Sequence, residues 1–336
     1  MLEPSELQAA VAAGVLDAQQ AERLSAFLAA RGGTVETADP DDERFRLIGG
    51  FNDIFVTIGI ALIFGALAAL MIASPGLFPY IGAALAWGLA EVFTLRRRMA
   101  LPSIVLAVLF AVLVAASAYL PFASATRQTV VPVFGVLAGI GAGAHYARFR
   151  VPIDIALTAS AAVYFMFALL VFPSPDMLAY SGHAALAMGL AVFACAMYFD
   201  LSDPARRTHR GDIAFWLHML AAPLIVHGIF AGVIGASRFS GEHAGAVLAA
   251  TLMFVLVALV IDRRAMIVAA LTYAGGALYY FVKGAGTVAD TAALCILLLG
   301  GGILLLSIGW RWLRALIVPR LPLGAFAARL PPVHAA

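Results

Sequence analysis

The chain has 336 residues, 63% of them apolar and 12% charged, with a formal net charge of +2. An ordinary soluble domain is about 45–50% apolar and about 25% charged. This composition therefore excludes a soluble globule, whose core could not take so much apolar surface, and the lack of a basic patch with interleaved aromatics argues against a nucleic-acid partner.

Residues 1–33 are predicted to form a helical hairpin. Ser5 with Gln8, and Asp17 with Gln20, have capping-box spacing, and Gly14 sits where a C-terminal glycine cap belongs. Leu7, Val11, Leu24, Phe27 and Leu28 give a modest apolar stripe. Two short helices bury too little surface to stand alone. The head is expected to lean on the membrane domain, a cytoplasmic protein partner or a second copy of the chain. Residues 34–52 follow as an acidic linker and pre-membrane segment, with Glu36, Asp39, Asp41, Asp42 and Glu43 in a solvated tether. No apolar core of a secretory signal occurs in the first 47 residues, so the first span is expected to remain as an internal anchor.

From residue 53 to 310 the chain runs through apolar stretches of the length needed to cross a bilayer, about 20 residues each. The predicted spans are 53–73, 77–95, 101–121, 129–147, 152–172, 181–199, 212–234, 243–261, 265–282 and 288–309. All the basic residues except Lys283 are arginine. They punctuate every second gap: Arg96, Arg97 and Arg98; Arg148 and Arg150; Arg206, Arg207 and Arg210; Arg263 and Arg264. These four gaps hold ten basic residues, and the other five hold three. That asymmetry predicts an all-α, multi-pass protein of the bacterial inner membrane, with the arginine side and both termini in the cytoplasm. Residues 311–336 are predicted to be interfacial, with tryptophans at headgroup depth and arginines such as Arg314 reaching outward.

The spans pair into five hairpins. Asp53, Asp154, Asp212 and Asp262 open four of them, where a carboxylate caps free N–H groups and meets the positive end of the helix dipole. Cys195 and Cys295 fall inside spans and are expected to be small buried hydrophobes.

Two stretches carry a family likeness. The head reads Leu7-Gln8-Ala9-Ala10-Val11-Ala12-Ala13-Gly14-Val15-Leu16-Asp17, followed by Gln20-Ala21-Glu22-Arg23, and the last span closes on Gly309-Trp310-Arg311-Trp312-Leu313-Arg314. This pattern resembles the bacterial membrane proteins of the 2157 class of domains of unknown function. The resemblance covers the first 60 residues in detail and the remainder in layout. It implies an inner-membrane protein with a helical hairpin before its spans, and no catalytic residues to carry over.

Ionisable residues within spans are expensive and mark candidate sites. Glu91 is expected to pair locally with Arg96, and His145 to lie at an interface. The seventh span holds the densest polar constellation: Asp212, Trp216, His218, Pro223 and His227. At about 100° per residue, Asp212, Trp216, Met219, Pro223 and His227 share one face within roughly 80°, while His218 points nearly opposite His227. The functional reading is a polar or proton-relaying lining; the structural one is a proline-kinked helix whose histidines bond to neighbouring helices. Gly135, Gly139 and Gly143 in the fourth span predict close helix packing. There is no phosphate loop, HExxH or GxSxG. The expectation is a non-enzyme without cofactor or metal, in contact with the lipid bilayer. Two classes fit: a transporter-like protein with the seventh span along its path, or a membrane platform whose head recruits a partner.

Overall fold

The computed structural model describes residues 7, 10–30, 51–72, 74–171, 175–204, 206, 208–234, 241–283 and 287–331. The chain divides into two compact units, Met1–Arg44 and Phe45–Ala336.

In the first unit a short helix ends at Gly14, which has φ +69°. Its N–H donates to the Val11 carbonyl at 3.0 Å, and the Val15 N–H donates to the Ala10 carbonyl at 2.9 Å. This is the predicted glycine cap, in a left-handed conformation that lacks steric cost only without a Cβ. Helix α1 (Ala18–Ala30) opens with the predicted reciprocal pair. The Gln20 N–H donates to Asp17 Oδ1 at 2.7 Å, and the Asp17 N–H donates to Gln20 Oε1 at 3.0 Å. Ser5, Gln8 and residues 31–50, including almost all of the acidic linker, lie outside the described residues.

The second unit is an all-α polytopic membrane domain. Its helices are α2 (Phe51–Leu70), α3 (Phe78–Ala90, extended by a π-helical stretch Glu91–Arg96), α4 (Ala100–Ala116), α5 (Arg127–Phe149) and α6 (Ile153–Val171). Then follow α7 (Ser181–Ser202), α8 (His209–Ile234), α9 (Gly241–Ile261), α10 (Ala265–Val282), α11 (Val288–Ile308) and α12 (Trp310–Ile317). Helices α2 to α11 sit on the ten predicted spans. Among the described residues, nine of them are long and apolar enough to cross a membrane; α10 has 18 residues. Helix α8 stays continuous through Pro223.

Helix α8 is central: 61% of its membrane-length stretch is buried, against 11% for α11. Its tightest neighbour is α7. A Cβ on Gly228 would stand 2.7 Å from the backbone nitrogen of Leu186, and one on Gly189 would stand 2.9 Å from that of Ile225. Backbones this close exclude any larger side chain. The predicted glycine face on α5 is tight only at Gly135, where a Cβ would meet the Phe165 Cα at 3.1 Å. A Cβ on Gly139 would make ordinary contact with Ala161 at 3.6 Å, and one on Gly143 would meet nothing within 4 Å. Two apolar clusters fill the bundle. One contains Ile60, Phe64 and Leu106, the other Leu217, Phe230 and Met266, and Trp216 packs against both.

Each of four arginine-side turns contains one left-handed non-glycine residue: Arg98 (φ 50°), Arg150 (φ 56°), Arg206 (φ 51°) and Asp262 (φ 58°). This conformation costs roughly 1–2 kcal/mol for a residue with a Cβ. The four turns share one left-handed residue each without repeating in sequence.

Candidate functional site

Polar side chains meet across helices at the arginine-bearing end of the bundle. His145, near the end of α5, and Asp154, in the first turn of α6, are both wholly buried, with Nδ1 and Oδ2 2.8 Å apart. The α5–α6 turn folds them together across nine residues of sequence. Rings of Phe149, Phe110 and Trp87 surround the imidazole, with centroids at 4.4, 5.8 and 6.3 Å. Two buried polar atoms of this pair, His145 Nε2 and Asp154 Oδ1, have no hydrogen-bond partner. Beside it, Arg148 forks onto Glu91 with two bonds of 2.9 Å. Glu91 thus reaches α5, not the expected Arg96.

A second network joins α7, α8 and the α9–α10 turn. Asp200 Oδ2 lies 2.8 Å from His218 Nε2 and accepts from Arg263 Nε at 3.1 Å, while Arg263 Nη2 bonds the other carboxylate oxygen. Arg263 also donates to the Gly211 carbonyl at 3.2 Å. Asp200 stands in the last turn of α7, where the negative end of the helix dipole disfavours a carboxylate. The guanidinium and imidazole compensate. All three side chains are buried.

A third cluster centres on Asp262. It accepts from Trp310 Nε1 at 2.7 Å and from Arg206 Nη1 at 3.1 Å, and Arg314 stands 3.5 Å away. Arg314 donates to the carbonyls of Leu259 and Pro331 at 3.0 and 3.2 Å. The tail was expected to send Arg314 outward; it is 1% exposed and ties α12 to the end of α9. Trp312 is 58% exposed.

The acids that open hairpins act mostly across helices. Asp53 is buried and accepts the N–H of Ala100 at 3.2 Å, so it reaches the start of α4. Asp154 and Asp262 serve the clusters above. Asp212 is exposed, 3.6 Å from His209 Nδ1.

The predicted seventh-span residues fall on two sides of α8. Asp212, Met219, Pro223 and His227 are exposed, and Trp216 is half-buried at their edge. His218 alone among them is fully buried. His227 lies on the exposed side, with Nδ1 2.9 Å from the Tyr273 hydroxyl of α10, a bond to a neighbouring helix. Cys295 is buried, but Cys195 is exposed on α7, contrary to its expected burial.

Sequence reasoning missed Asp200, placed His145 at an interface and read Arg263 only as a marker of sidedness. The signals were present: an acid at the wrong end of a helix dipole, and a histidine and an aspartate flanking one tight turn. Among the described residues, no three His, Cys, Asp or Glu side chains converge as a metal site would require.

The chain found no counterpart among protein-family models, curated proteins or solved structures.

Proposed function

We propose that this integral membrane protein is transporter-like, with a proton-linked polar path along the exposed side of α8. One observation carries the reading. Asp212, Pro223 and His227 form an exposed stripe on the helix that is otherwise the most buried, and His227 joins Tyr273 of α10. From Asp212 to His227 the helix rises about 22 Å, most of a hydrocarbon layer of about 30 Å. An imidazole facing hydrocarbon is costly, so such groups border water or a neighbouring polar surface. On its other side His218, Asp200 and Arg263 hold the helix at the arginine end, as a closure would.

In this proposal the arginine side and both termini face the cytoplasm of a bacterium, and the protein sits with the 2157-class membrane proteins it resembles. No residue is assigned a catalytic role, and no cofactor or metal is invoked. Reconstitution into liposomes with an internal pH-sensitive dye tests the reading. An imposed pH gradient should collapse with the wild-type protein and persist with His227→Ala, which should remain folded. No flux in the wild type, or equal flux in the variant, would count against it. The platform reading, with residues 1–33 recruiting a partner, is favoured by one feature: among the described residues the buried carboxylates and arginines gather at the arginine-side helix ends instead of at mid-depth. Under that reading, a chain starting near Arg44 would insert normally and lose only its partner.

A further inference from the structure

Between the arginine-side ends of α7 and α9 lies a groove of about 470 Å³. Met197 and Leu201 line one wall, Val257 and Val260 the other, and Leu321 and Phe326 of the C-terminal tail border it. All its lining residues are apolar. Both walls belong to helices long enough to span the membrane, so the groove adjoins lipid. A polar ligand would lose its hydration there without compensation.

Two arginines flank the tail residues of the groove in sequence. Arg320 precedes Leu321 and Arg329 follows Phe326 by three residues, and both are exposed. Arg320 donates to the Leu316 carbonyl one turn back, which leaves its other N–H groups for a ligand. The buried acids at this end, Asp200 and Asp262, are already paired with Arg263 and with Arg206 and Arg314. Exposed Trp312, on the preceding helix, is the kind of side chain that settles at headgroup depth. An apolar slot with exposed arginines close in sequence to two of its lining residues matches the two ends of one molecule.

We propose that the groove seats an acyl chain of an anionic phospholipid, whose phosphate lies against Arg320 and Arg329. Basic pockets between membrane helices recognise anionic headgroups in this way. The site is separate from the α8 stripe, and its test does not depend on transport.

The test uses the full chain, purified in detergent and stripped of lipid. Phosphatidylglycerol and phosphatidylcholine with identical acyl chains are added in turn. Thermal unfolding and lipid retention by native mass spectrometry are the readouts. Phosphatidylglycerol should be retained as one tightly bound copy and raise the melting temperature more than phosphatidylcholine does. The surface double variant Arg320→Gln/Arg329→Gln should fold normally and lose the preference. Val257→Trp, which fills the groove, should lose the bound copy. Equal behaviour of the two lipids with the wild type, or a preference that survives the arginine changes, would overturn the proposal. So would a bound lipid retained by a folded Val257→Trp protein, or a lipid-free dimer that this variant dissociates.

Discussion

The α5–α6 and α7–α8 hairpins solve one problem in two ways. Each buries a histidine and an aspartate at the arginine end of the bundle. In α5–α6 the pair stands without a third charge, ringed by Trp87, Phe110 and Phe149, and one polar atom of each residue is unsatisfied, as is His218 Nδ1 in the other hairpin. In α7–α8 the carboxylate is shared between His218 and Arg263, which tie it to the α9–α10 turn. A lone pair can become neutral by moving one proton. A triad containing arginine cannot, because the guanidinium keeps its charge. The second hairpin is thereby locked by charge, whereas the first is held by packing around a removable polar contact.

The difference can be broken most severely at Arg263. Arg263→Met leaves Asp200 buried with only an imidazole and should cost about 3–5 kcal/mol in chemical unfolding in detergent, the range for stripping one partner from a buried ion pair. A loss below about 1 kcal/mol would show that the network does not hold the bundle.

The first hairpin should respond differently. His145→Phe alone leaves a buried carboxyl unpaired and should cost about 1–3 kcal/mol. Adding Asp154→Leu should recover most of that loss, since a buried polar pair replaced by apolar groups of similar size is often neutral. Adding Asp200→Leu to Arg263→Met should recover less, because His218 and the Gly211 carbonyl then lose their partners. Failure of the His145→Phe/Asp154→Leu double variant to recover would place both hairpins in one class.

Packing separates the hairpins too. Gly189→Leu would force a side chain against the α8 backbone, and overpacking of this kind costs about 1–3 kcal/mol or more. Gly139→Leu enters ordinary contact with Ala161 and should cost less. Equal losses of folding yield would remove the distinction.

The smallest effect lies in the turns. Arg150→Gly relieves a left-handed conformation and should be neutral or stabilising by up to about 1 kcal/mol. Arg206→Gly relieves the same strain but gives up its bonds to Asp262, so it should destabilise. The opposite order in thermal unfolding would contradict the assignment of Arg206 to the network.

Much of the fold was legible in the sequence. Ten helices lie on the predicted spans because crossing hydrocarbon sets the length of an apolar run. Gly14, Asp17 and Gln20 announced their caps because those interactions are local. The inward side of each span was not legible. In a soluble helix the apolar stripe marks the core, but in lipid both sides are apolar, so periodicity carries no sign. The tight α7–α8 crossing escaped notice because Gly182 and Gly189 lie seven residues apart and Gly228 lies on the other helix. The site was half visible for the same reason. The seventh span was read with His218 pointing nearly opposite His227, and the structure buries the one and exposes the other. That His218 would be the buried one depended on Asp200 and Arg263, respectively 18 and 45 residues away in sequence.

The most direct test of a polar path along α8 is a cysteine scan. Cys195 and Cys295 are first replaced by serine, and single cysteines are then placed at Leu217, Met219, Ala221, Pro223, Val226 and His227. A membrane-impermeant, water-soluble thiol reagent is applied to both sides of native membranes. Labelling should appear at Met219, Pro223 and His227 and be absent at Leu217, Ala221 and Val226. Protection of Met219 and Pro223 equal to that of the buried positions would mean that the stripe faces lipid or protein instead of water, and would contradict the path.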